Sequence, residues 1–229
     1  IDIKHLRLHC TTLSTRVVLA SVNSSNVRVL PLNDQIKELH TILRDRETSR
    51  SDFVFYSDRL IRLVIEEGLN VLMPSLLPET VTTPLGVEYK GAKFPSKNCG
   101  VSIMRSGEAM EKALLECCRS IRIGKILIHT DKVRQLTQTF YAKFPADIHE
   151  RRVYLMHPIL NSGSTFSNAL EVITKDYFVP EENILVLSLF ATPQGLEALQ
   201  SLYPRVHVLT SEIDEVCPAN FGEMYFGTE

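Results

Sequence analysis

Apolar positions recur at helical intervals in the first third of the chain and fall into short continuous runs from Cys99 onward, so the two parts predict different elements. Ile36, Leu39, Ile42 and Leu43 follow Asp34 at helical spacing, and Asp34 is suited to cap the helix they define. A second helix opens at Ser51-Asp52 and turns Leu60, Ile61, Val64, Ile65 and Leu69 to one side. Ahead of both, Val27 to Leu30 reads as a short strand. Residues 1–26 mix Ser, Thr and small apolar clusters without a sustained period, and read as a variable, poorly ordered lead-in to a domain spanning 27–229.

Beyond Cys99, strands are predicted over Cys99 to Met104, Lys125 to Thr130, Val153 to His157, Asn183 to Phe190 and Arg205 to Thr210. Helices are predicted over Ala109 to Cys118, Ser164 to Lys175 and Gln194 to Leu202. Strands that are hydrophobic along their whole length and alternate with helices define an α/β fold, with a parallel sheet covered on both faces. Ligands gather at the carboxyl ends of such strands. Here those ends carry Arg105-Ser-Gly-Glu108, a polar stretch from Asp131 to Phe140 read as a loop, Pro158 to Thr165, and Ala191-Thr-Pro-Gln-Gly195. The tail from Glu212 to Glu229, rich in Gly, Pro and aromatic residues, is expected to cap the same edge.

One of these loops has a distinct chemistry. The apolar run Val153 to His157 enters Asn161-Ser-Gly-Ser-Thr165 and passes directly into a helix. Glycine lets the backbone approach a ligand, the hydroxyls donate hydrogen bonds, and the first amides of the helix point outward unpaired. A phosphate monoester fits that description. So does an ordinary strand-to-helix turn capped by Ser or Thr, and the loop alone leaves both readings open.

Composition narrows the classes. The 229 residues are 44% hydrophobic and carry a formal charge of −2, which excludes a broad basic field for nucleic acid or acidic lipid. No apolar run approaches the roughly 20 residues that a bilayer span needs. A phosphorylated ligand must therefore be held by local groups. Cys10, Cys99, Cys117, Cys118 and Cys217 are odd in number and lack metal-ligand spacing, so free thiols in a reducing compartment are expected, cytoplasmic or also nuclear. The first residue is Ile1, so the sequence reads as a fragment of a longer chain.

From about Val27 to Glu229 the chain resembles the uracil phosphoribosyltransferase family, its animal homologues in particular. The resemblance rests on Val101-Ser-Ile-Met-Arg-Ser-Gly107, on His157-Pro-Ile-Leu-Asn-Ser-Gly-Ser-Thr165 and on Gly222-Glu-Met-Tyr-Phe-Gly-Thr228, in that order and spacing. It implies a type I phosphoribosyltransferase-like sheet with a C-terminal base-binding hood. It also implies the reaction of uracil with 5-phosphoribosyl 1-pyrophosphate to give UMP and pyrophosphate, magnesium as cofactor, GTP binding, and a homodimer or higher homo-oligomer. The 5-phosphate would fall to Asn161, Ser162, Gly163, Ser164 and Thr165, with His157 at the entry to that loop. The pyrophosphate would fall to Arg105, the candidate catalytic residue, with Ser106 and Gly107 turning the backbone beneath it. The competing reading of Arg105 is half of a surface ion pair with Glu108 or Glu111. The base would be read by Cys217, Pro218, Phe221, Gly222 and Glu223.

Three positions depart from the family's pattern. Active microbial members carry an aspartate where this chain has His157, which removes an anionic partner for hydroxyls and magnesium. After Ile128, where the family presents an arginine, this chain reads His129-Thr-Asp-Lys132, leaving Lys132 or Arg134 as substitutes. The segment Cys217-Pro-Ala-Asn-Phe-Gly222 is shorter than the microbial base loop. Two functions follow: a uracil phosphoribosyltransferase of pyrimidine salvage, or a catalytically weak homologue that binds a phosphoribosyl ligand in a regulatory or partner-binding role. Tyr89 and Phe94 are candidates for a subunit contact or for hairpin core.

Overall fold

The structure, a computed structural model, describes residues 26–72, 77–93, 97–119, 121–131, 136–218 and 220–227. The expected lead-in, Cys10, Phe94, Lys132 and Arg134 lie outside them. Strand β1 (Val27–Val29) is followed by α1 (Asp34–Arg44), whose cap is Asn33 rather than Asp34: the Asn33 side chain accepts from the Ile36 amide at 2.9 Å. The carboxamide suits that position, and Asp34 instead lends its charge to the first turn. Ser49 caps α2 (Arg50–Val71) in the same way, accepting from the Asp52 amide at 3.1 Å. A hairpin of β2 (Leu77–Thr82) and β3 (Glu88–Lys93) precedes the main sheet.

That sheet contains β4 (Asn98–Met104), β5 (Arg122–Asp131), β6 (Leu136–Lys143), β7 (Arg152–Met156), β9 (Ile184–Leu187) and β11 (His207–Thr210), in the order β1-β11-β9-β7-β4-β5-β6. All neighbours are parallel except β5 and β6. The stretch expected as a polar loop up to Phe140 is therefore largely strand β6, the antiparallel edge. Thr137, Thr139, Phe140 and Tyr141 have the β-branched and aromatic character that favours extended backbone, and an edge strand need not be apolar throughout.

Side chains alternate between the two faces, as period two requires. Tyr154, Met156, Leu185, Leu187 and Leu209 join Leu39, Leu60, Ile61 and Ile65 of α1 and α2 in one core. Leu114 of α3 (Glu111–Cys117) belongs to that core too. Val153, Leu155, Ile184, Val186 and Val208 join the other core. There they meet Phe166 and Leu170 of α4 (Ser164–Glu171) and Leu196 and Leu199 of α5 (Pro193–Leu202). Each fully buried aliphatic side chain of these layers contributes roughly 1.5 to 3 kcal/mol relative to exposure.

The predicted strands Val153 to His157 and Arg205 to Thr210 end within a residue of where expected, whereas Asn183 to Phe190 breaks after Leu187. After Met156, Leu187 and Thr210 the chains kink and pair again one level higher. They form a small parallel sheet of β12 (Glu212–Ile213), β10 (Phe190–Ala191) and β8 (Ile159–Leu160). At the kinks the buried carbonyls keep amide partners, since an unpaired group there is costly: the Pro158 oxygen accepts from the Leu189 and Phe190 amides at 2.9 and 3.1 Å, and the Leu189 oxygen from the Ser211 amide at 3.1 Å. Buried hydroxyls add a further donor to each: Ser188 Oγ lies 3.1 Å from the Pro158 oxygen, and Thr210 Oγ1 lies 3.2 Å from that of Leu189. The helices also differ in detail. A 3₁₀ turn over Ser106–Met110 precedes α3, and a π turn over Val172–Asp176 extends α4. The tail ends in α6 (Phe221–Phe226). None of the described helices is long and apolar enough to cross a membrane.

Candidate functional site

The connection from β4 to β5 passes through α3 on one face, and that from β7 to β9 passes through α4 on the other. The adjacent pair β4 and β7 is thus where strand order reverses. A crevice opens at such a point above the carboxyl ends. Here it has a volume of about 190 Å³. Ser106 lines it from the end of β4, His157, Asn161, Ser162, Gly163, Thr165 and Phe166 among others from beyond β7, and Phe221 with Gly222 from the tail.

The floor is the loop before α4. Gly163 stands in the left-handed region at φ 78°, and the first helical bond runs from the Ser167 amide to the Gly163 oxygen at 2.9 Å. The amides of Ser164, Thr165 and Phe166 therefore precede the ladder, and no side chain caps them. Ser162 and Ser164 hydroxyls lie 2.9 Å apart beside them. This is a donor-rich concavity with partial positive charge from the helix end, and it can hold an oxyanion.

Two residues that sequence reading did not single out hold the loop in shape. Thr192 Oγ1 donates to the Asn161 oxygen at 2.5 Å and accepts from the Gly195 amide at 3.0 Å. A Cβ on Gly195 would lie 2.9 Å from the Leu160 oxygen and closer still to that of Asn161. A glycine inside a predicted helix is the signal: alanine is favoured there by about 1 kcal/mol, so glycine implies a close approach.

His157 has a defined state. Its Nδ1 lies 2.8 Å from the Ile159 oxygen and 3.3 Å from the Ile159 amide; the shorter contact, to an atom that can only accept, favours the proton on Nδ1, and the ring meets Phe166 edge-on at 5.8 Å. Burial holds its pKa below the ordinary 6.5, so the ring is neutral at pH 7 and Nε2 is an acceptor.

Not every candidate reaches the crevice. Arg105 is exposed at the end of β4, outside the lining, and makes no ion pair among the described residues. Its alternative partners Glu108 and Glu111 are taken by Lys125 Nζ at 2.6 and 3.2 Å, which displaces the expected surface pair. Gly107 is buried against the Met156 backbone, where a Cβ would collide with the carbonyl oxygen. Gly222 backs onto Ser106, whose Oγ is 2.6 Å from the position of an added Cβ. Cys217 and Pro218 do not line the crevice, and Glu223 is exposed on α6. The tail segment ahead of them is fixed by Arg44, which donates to the Val216 oxygen at 2.7 Å and to Glu212 Oε2 at 3.0 and 2.7 Å. Burial pushes the Cys217 thiol up to about 11, so it is protonated at neutral pH.

The fold and crevice define a class: doubly covered parallel α/β proteins with a ligand cleft at the sheet's reversal point. Within it, residues 30–227 match the family model of uracil phosphoribosyltransferase, and the chain belongs to that family. It is 55% identical over 203 residues to a uracil phosphoribosyltransferase homolog of Danio rerio, covering 89% of this chain and 78% of the relative. It is 49% identical over 213 residues to the uracil phosphoribosyltransferase of Dictyostelium discoideum, covering 89% and 97%. A solved Aquifex aeolicus protein superposes with a TM-score of 0.74 at 18% identity, over 87% of this chain and 97% of the other, which extends the fold alone.

Proposed function

We propose that this chain binds 5-phosphoribosyl 1-pyrophosphate and transfers its phosphoribosyl group to uracil. A uracil nitrogen forms the new bond to the ribose anomeric carbon as the bond to pyrophosphate breaks, giving UMP and pyrophosphate. The observation that carries this reading is the loop Asn161 to Thr165, which turns uncapped amides and hydroxyls into a crevice closed from the tail side by Phe221 and Gly222. A nucleotide's phosphate and base ends thus meet separate walls. Arg105, whose guanidinium makes no ion pair among the described residues, supplies positive charge for the leaving pyrophosphate.

A second reading, a ligand-binding member with poor turnover, is favoured by a specific observation: the described lining holds neutral His157 and no carboxylate, and Arg105 stands outside it. Calorimetric titration with 5-phosphoribosyl 1-pyrophosphate, followed by UMP formation from labelled uracil, separates them. Binding with product is expected. Binding without product selects the second reading, and no binding removes both.

We also propose a homodimer through the β2–β3 hairpin. Leu77, Val81, Val87 and Tyr89 are 52%, 47%, 62% and 61% exposed, so Tyr89 is not hairpin core. A two-stranded hairpin is marginal in water, and these outward side chains gain most from a second copy. Sedimentation equilibrium should give a dimer that Val87→Glu with Tyr89→Glu converts to monomer. A monomeric parent protein would remove the proposal.

A further inference from the structure

Magnesium, implied by the family, asks for near-octahedral oxygen ligands and is generally anchored by one or two carboxylates. The crevice does not fit it. Its described lining is Ser, Thr, Asn, Gly, Ile, Leu, Phe and one His, without an acid. Of the acids in the surrounding elements, Glu108 and Glu111 are committed to Lys125 and Glu212 to Arg44, with Asp214 3.8 Å from the same guanidinium, and Glu223 stands exposed on α6 outside the lining. Glu111 also accepts from the Ser102 hydroxyl. Among the described residues no three His, Cys, Asp or Glu converge as a metal site. His157 keeps Nδ1 on the Ile159 oxygen and has only the Nε2 lone pair to offer.

We infer that the crevice takes the ribose 5-phosphate end of its ligand without a divalent cation. The amides of Ser164, Thr165 and Phe166 and the hydroxyls of Ser162 and Thr165 balance the phosphate charge, and His157 Nε2 accepts a hydrogen bond from a sugar hydroxyl. This rests on the reading that the crevice binds a phosphoribosyl ligand, which both functions above share. An acceptor of this kind differs from a carboxylate in one respect that can be measured. It orients a hydroxyl and leaves no anion to attract a metal.

The test is calorimetric titration of the protein with ribose 5-phosphate and with inorganic phosphate, each in excess magnesium chloride and in EDTA. Ribose 5-phosphate affinity should agree within about twofold between the two conditions. A loss of about tenfold or more in EDTA overturns the metal-free site while leaving the phosphoribosyl reading intact. Absence of binding in both conditions overturns the inference and the reading together. His157→Phe should weaken ribose 5-phosphate by about three- to tenfold, the net worth of one hydrogen bond, and leave inorganic phosphate unchanged. His157→Gln, which keeps an acceptor, should retain the preference for the sugar phosphate. Equal loss for both ligands in His157→Phe would make His157 a prop for the loop and overturn its assigned contact. The comparison of conditions needs only the unaltered protein, so it decides the metal question even if a variant does not fold.

Discussion

Gly195→Ala is expected to weaken ribose 5-phosphate binding by about tenfold or more and to destabilise the protein by about 1 to 3 kcal/mol. The new methyl group would enter the space held by the Asn161 and Leu160 carbonyl oxygens. Neither can retreat cheaply. The Leu160 oxygen receives the Thr192 amide at 2.9 Å, and the Asn161 oxygen receives the Thr192 hydroxyl at 2.5 Å. Relief must come from the loop, and the loop is the crevice floor. Gly163 makes the same point from the other side, since a Cβ there would stand 2.9 Å from the Gly195 oxygen. The two backbones are in direct contact, so a shift of one moves the amides aimed at the ligand. For a chain of this length 1 kcal/mol corresponds to about 2 to 4 °C, so a thermal melt and a calorimetric titration are sufficient measurements. A variant that melts lower but binds as before would show that the contact serves packing alone.

The sheet was readable because its strands are apolar on both faces, and alternation did not have to be guessed. Val153 and Leu155 serve one core and Tyr154 and Met156 the other, yet all four look alike in one dimension. The kinks were not readable. Ser188 sits inside the run Asn183 to Phe190, and only its bond to the Pro158 carbonyl of a neighbouring chain segment reveals the break. The edge strand β6 was lost for the opposite reason, since its polar content resembles a loop until it is paired with β5.

The site divides in the same way. Local chemistry is legible: Asn161, Ser162, Gly163, Thr165, Ser106 and His157 do line one crevice, as their residue types and strand-end positions imply. Contacts made at a distance are not. Gly195 and Thr192 support the loop from another helix, and Arg44 fixes a tail segment 172 residues further along the chain. Of the tail candidates only Phe221 and Gly222 reach the crevice. The others are distributed along a segment whose course is set by Arg44 and Glu212 rather than by its own composition.

Phe221→Ala is expected to free the tail and to remove about 3 to 5 kcal/mol of local packing energy. The side chain is 1% exposed, meets Phe53 of α2 edge-on at 5.3 Å and stacks on Tyr225 at 5.7 Å. Helix α6 has six residues, far too few to be helical without docking. Met224, Tyr225 and Phe226 pack only half-buried on the same core, and the polar ties of the helix include the Tyr225 hydroxyl donating to Asp58 at 2.6 Å and Arg50 donating to the Tyr225 oxygen at 3.3 Å. Both are partly or fully exposed, where such bonds contribute about 1 kcal/mol each and cannot hold the helix once the ring is gone. The loss should therefore appear as local opening rather than as a proportionate fall in melting temperature. Amide hydrogen exchange over residues 221–226 should approach that of an unprotected chain, while the strands of the main sheet keep their protection. Binding should divide along the same line. Inorganic phosphate, which meets only the floor before α4, should bind as before, and UMP, which also meets the tail, should bind about tenfold or more weakly. Equal loss for both ligands would mean that the tail shapes the floor through the Gly222 contact with Ser106, so that the two walls act as one unit.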